Sequence, residues 1–142
     1  MGYSMRFYDT DPRPLHFAEL LAGLREIDPA FDIDGGFLLY NGEWYAEITI
    51  DAPDDAFFDW QTDSLKAELG ATAGFGKDRV EAVLRTAQRQ VFVRVLSGGR
   101  DIETTLSRLD VLWDWLFAHR SGLLQADGEG FYEDEDLILA TK

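Results

Sequence analysis

Apolar and polar positions alternate in YSMRFY at residues 3–8, with Tyr3, Met5 and Phe7 opposed to Ser4, Arg6 and Tyr8. This period of two predicts a strand. The period changes after DTDPRP: Phe17, Leu20, Leu21 and Leu24 recur at i, i+3, i+4 and i+7, the stripe of an amphipathic helix. Thr10 or Asp11 supplies a cap for it, Pro12 or Pro14 suits its first turn, and Asp28-Pro29 ends it. Gly36 to Ile50, GFLLYNGEWYAEITI, reads as two strands joined by Asn41-Gly42, the pair that best tolerates the positive φ of a type I′ turn. An unbroken register places Phe37, Leu39, Trp44, Ala46, Ile48 and Ile50 on a core face. Leu38, Tyr40, Glu43, Tyr45, Glu47 and Thr49 then form the second face.

Residues 55–69 read as a helix with Gly70 as its C-cap, and 77–89 as a helix with Val80, Val83, Leu84 and Ala87 on one stripe. Between 90 and 96, Val91, Val93 and Val95 point one way and Phe92 and Arg94 the other, which predicts a strand. The longest helix is expected over 101–119. Between Leu109 and Phe117 its only polar residues are Asp110 and Asp114, so it should be buried on more than one side. Leu123–Ala126, Asp127-Gly128 and Glu129–Tyr132 form a second hairpin, followed by EDED and LILA.

The order β-α-β-β-α-β, then α-β-β, makes an α+β protein. Its first six elements resemble the ferredoxin-like arrangement, an antiparallel sheet with helices on one face. The expectation is one domain over residues 1–142: a βαββαβ core over 1–96 and a long helix with a β-hairpin over 97–142. The sheet's other face would gather Arg6, Tyr8, Leu38, Tyr40, Tyr45, Glu47, Phe92 and Arg94. The long helix and second hairpin would cover that face or leave it to a partner.

Composition narrows the function classes. Twenty-seven acids against 13 bases give a net charge of −14, which opposes binding to nucleic acid and to anionic membranes. From Glu26 to Leu65 there are 11 acids and no Lys or Arg. The absence of cysteine excludes a disulfide framework and a thiolate site. No basic and apolar leader and no membrane-length apolar run is present, so a cytoplasmic location is expected.

No catalytic constellation emerges. His16 and His119, the only imidazoles, stand at opposite ends of two helices without metal-ligand spacing. Asp32-x-Asp34-Gly35 resembles part of a calcium loop, but Asn41 stands where its final Glu belongs. Gly74-Phe75-Gly76-Lys77 lacks the first glycine and the Ser or Thr of a phosphate loop. No metal or cofactor is expected.

The leading expectation is an acidic binding module for a basic protein, as in the small acidic proteins that neutralise basic toxins, with Tyr40, Tyr45, Glu47 and Trp60 as contacts. A second reading places an enzyme or sensor pocket between the sheet and the Trp113/Trp115 helix, with Arg6 and Arg94 orienting an anion. A third pairs two copies through the Leu109–Phe117 helix.

Overall fold

The computed structural model of the protein describes residues 3–51 and 76–140. The helix expected over 55–69, and Trp60 within it, lie outside these. The described elements are β1 (Tyr3–Asp9), α1 (Phe17–Ile27), β2 (Phe31–Asp34), β3 (Phe37–Tyr40), β4 (Glu43–Asp51), α2 (Lys77–Thr86), β5 (Arg89–Val95), α3 (Ile102–His119), β6 (Gly122–Ala126), β7 (Gly130–Glu133) and β8 (Asp136–Ala140). Two strands were not expected. The approach to the hairpin, FDID, pairs with β3, and LILA forms most of β8.

All eight strands join one antiparallel sheet in the order β2-β3-β4-β5-β1-β6-β7-β8. The ferredoxin-like expectation is corrected at this point. That arrangement sets β1 directly beside the hairpin, whereas here β5 lies between β1 and β4 and pairs antiparallel with both. Its Val91 and Val93, fully buried, fit a position flanked on both sides.

The helices also divide between two faces instead of sharing one. On the first face, Met5, Phe7, Ala46, Ile48, Val91, Val93 and Val95 pack with Leu20 and Leu24 of α1 and with Leu109, Leu112, Trp113 and Leu116 of α3. On the second, Tyr8, Leu123, Phe131 and Leu139 pack with Val80, Val83 and Leu84 of α2. Alternation along β1 explains the split: Phe7 and Tyr8 are both buried, each in a different core. The long helix therefore lies on the same face as α1, and the second hairpin widens the sheet beyond β1. The Leu109–Phe117 stretch is spent within the chain, with Leu109, Leu112, Trp113, Trp115 and Leu116 all buried.

A buried ion network closes one end. Asp9 Oδ2 accepts from Arg89 Nη1 at 2.6 Å and Arg120 Nε at 3.0 Å, and Arg120 also donates to the carbonyls of Arg13 and Pro14. A buried carboxylate is tolerated when it is so surrounded. The same bonds hold residues 13 and 14 out of a helix, so α1 starts at Phe17, several residues beyond the expected cap.

Candidate functional site

The predicted contact surface is built on the hairpin, so its register decides which side chains are available. Asn41 and Gly42 have φ of 52° and 78°, as a type I′ turn requires. Tyr40 faces Glu43 and Leu39 faces Trp44, as the turn dictates. The register then shifts: Leu38 faces Ala46 and Phe37 faces Glu47. Tyr45 is the extra residue of a β-bulge. One inserted residue reverses the inward and outward alternation of one strand relative to the other. Leu38 consequently enters the core, while Phe37 stays half-exposed and stacks on Trp44 with 4.6 Å between ring centroids. Trp44, expected in the core, is 57% exposed; Tyr45, expected outside, is 6% exposed.

The structure brings Tyr40 and Tyr45 together, edge to face at 6.0 Å, but each ring is already covered. The Arg108 guanidinium lies 3.7 Å from the Tyr40 ring centroid and that of Arg100 lies 3.7 Å from the Tyr45 centroid. The Tyr40 hydroxyl donates to Asp28 Oδ2 at 2.6 Å. This bond and one from the Ala30 amide hold the Asp28 carboxyl below the usual carboxylate range. Glu47 is bonded to Arg94 at 2.7 Å, and Glu43 sits 3.4 Å from Arg100. Glu43 and Glu47 of the hairpin strands, read from the sequence as lacking bases, are thus met by arginines from β5 and the loop after it.

Arg6 and Arg94 do not converge on one pocket. Arg6 bonds Gln125 at 2.6 Å and Asp127 at 3.0 Å and lies over the Phe92 ring. Both arginines alternate with core residues and so leave the face that packs on α3, while Arg94, paired with Glu47, lines a hollow beside Ile102 at the start of α3.

Among the described residues, carboxylates without a basic partner gather elsewhere. Asp110, Trp113, Asp114 and Phe117 recur at i, i+3, i+4 and i+7 on α3 and line a cleft of about 300 Å³. Met5, Leu124 and Tyr132 form the opposing wall, and Asp134 and Glu135, from the turn between β7 and β8, close the rim. Among the described residues no Lys or Arg forms an ion pair with any of these four acids. The Asp110 carboxyl is pushed above its ordinary value by desolvation against the cleft wall, then by the charges of Asp114 and Glu135. The acids are spread along a rim instead of converging: among the described residues no three form a cage for a metal ion. A spread rim over an aromatic wall suits extended organic cations, the side chains of lysine and arginine.

A second hollow, of about 610 Å³, opens where α3 begins. Trp44, Ile102, Tyr3 and Val95 contribute its apolar surface, and Ile102 is 42% exposed. Arg100 ties the Trp44 carbonyl to that of Leu96 at 2.6 and 2.9 Å, fixing the strand that carries the indole.

The cleft lies between the sheet and the helix carrying Trp113, where the sequence reading set a pocket, but acids line it in place of Arg6 and Arg94, and the groove was not read from the sequence. The sequence reading noted Asp110 and Asp114 as the polar exceptions in an apolar helix, and it placed EDED after the second hairpin without a role. Only the path of β7 and β8 brings the two acidic stretches to one rim. No family model, no curated protein and no solved structure matches this chain.

Proposed function

We propose that this protein is an acidic binding module that captures a basic protein, and that the cleft beside α3 receives the partner's cationic side chains. The observation that carries this reading is the contrast in pairing. Glu43 and Glu47 are held by the chain's own arginines, whereas Asp110, Asp114, Asp134 and Glu135 share a cleft with no basic partner among the described residues. Unsatisfied charge of one sign over an apolar floor favours association with the opposite sign and speeds encounter. A basic toxin or enzyme neutralised by such a module would fit the chemistry. Of the contacts expected at the hairpin, Tyr40 and Tyr45 are covered and Glu47 is paired, so that surface gives the reading less support than the cleft does. The pocket reading for Arg6 and Arg94 is weakened in the same way, since each already has a carboxylate.

The test is a charge-neutral variant, Asp110→Asn with Asp114→Asn and Glu135→Gln, titrated with an oligolysine peptide at several salt concentrations. The wild-type chain should bind with an affinity that falls steeply with salt, and the variant about tenfold more weakly with a shallower slope. Equal affinities for the two proteins would overturn the assignment of the cleft.

A further inference from the structure

We infer that the two hollows form one continuous docking surface along α3, and that its occupant is a segment of the basic partner carrying an apolar anchor beside its cations. The inference rests on the binding-module reading and specifies its partner.

Three observations join the hollows. Tyr3 lines the groove and Met5 the cleft. They are two residues apart on one face of β1, about 7 Å along the strand. Tyr132 lines the cleft, and the hydroxyls of Tyr3 and Tyr132 both donate to the carboxylate of Glu129, which ties one residue of each hollow to the other. On α3, Ile102 lies in the groove and Asp110 in the cleft. Eight residues of helix separate them by about 12 Å and by less than a quarter-turn around the axis. An apolar residue seated against Trp44 and Ile102 would thus set a lysine or arginine three or four residues away over Asp110 and Asp114, given an extended segment.

The groove end has the character of an anchor site. Trp44 is a large ring, more than half exposed, held rigid by stacking on Phe37 and by Arg100 on its carbonyl. Exposed and preorganised tryptophan is the side chain most enriched among residues that dominate binding energy. The bulge at Tyr45 brings it there, since an unbroken register would turn it inward. Charge complementarity identifies the occupant as basic. The net charge of −14 and the rim of the cleft, without a basic partner among the described residues, both select against an acidic segment, and the one cation on the groove wall, Arg94, is already paired with Glu47.

The experiment uses two peptides of equal charge. One is lysine-rich with leucine at every third position, and the other has serine in place of each leucine. The intact protein should bind the leucine peptide about tenfold tighter. Trp44→Ala should abolish that advantage and leave the affinity for the serine peptide unchanged. Ile102→Ser, at an independent exposed position, should do the same, which separates loss of the anchor from loss of the fold. The carboxylate variant should weaken both peptides alike. If the intact protein binds both peptides equally well, the continuous surface is overturned and the acidic cleft stands. If it binds neither, both readings fall.

Discussion

At the scale of single residues, Trp44 and Tyr45 show how much one inserted position controls. Both are aromatic neighbours on β4 and either could fill a core site. The bulge gives the core to Tyr45, whose ring then accepts Arg100 over one face, and leaves Trp44 in solvent. Asp110 shows a different control, that of neighbouring charge. Burial against the cleft wall and the nearby Asp114 and Glu135 raise its pKa, so its ionised form costs stability. That cost is present at neutral pH. It shrinks as pH falls through the raised folded pKa and is gone below the unfolded value of 3.8. Asp110→Asn removes the cost, so the variant should melt at a higher temperature than wild type at pH 7. Melting curves between pH 7 and about 4 should show the gap closing as the medium becomes more acid. A gap that is constant with pH would contradict the assignment. Asp28 and Asp101 act in the opposite sense. Hydrogen bonds lower their pKa values, so the stability they supply is present above 3.8 and is lost as pH falls through the lowered folded values.

At the scale of elements, the helices were legible because their apolar stripes are set by residues only three or four apart. The α1 stripe and α3, with Asp101 capping through the Thr104 amide at 2.7 Å, follow from the sequence. What the stripes do not encode is how closely two helices approach. Gly23 of α1 lies against the Trp115 indole of α3 so tightly that a methyl group there would overlap the ring. The indole is itself buried and stacked on His119 at 4.5 Å, with little room to turn aside. Alanine is the better helix former by about 1 kcal/mol, yet Gly23→Ala should destabilise the protein by about 1–3 kcal/mol, because overpacking outweighs propensity. Urea unfolding midpoints measure this directly, and an unchanged or raised midpoint would show that the indole can relocate. The strand pairs show the same limit. The Asn41-Gly42 turn fixed the first two residue pairs of the hairpin, but the bulge beyond it depends on Leu96 donating to the Tyr45 carbonyl, a partner about fifty residues away.

At the scale of the whole molecule, the apolar side of α3 is consumed by the sheet and by α1, so nothing in Leu109–Phe117 requires a second copy. Sedimentation at high protein concentration should therefore give a single species of about 16.1 kDa. A concentration-dependent dimer that dissociates on substitution of the half-exposed Val111 or Phe117 would restore the helix-pairing reading. Among the described residues no helix is long and apolar enough to cross a membrane.

The sequence by itself determined the α+β class, the existence of β1, α1, α2, β5 and α3, the type of the Asn41-Gly42 turn and the excess of negative charge. These depend on composition or on contacts within one turn or one strand. Strand order, the two-sided placement of the helices, the bulge and the pairing of each acid were decided only in three dimensions. Asp9 meets Arg120 across 111 positions and Arg6 meets Asp127 across 121. No local period carries such a pairing. The acids around Tyr40 looked unopposed because their arginines come from later in the chain. The acids of α3 and the β7–β8 turn, separated in sequence, became one rim because the sheet folds them side by side.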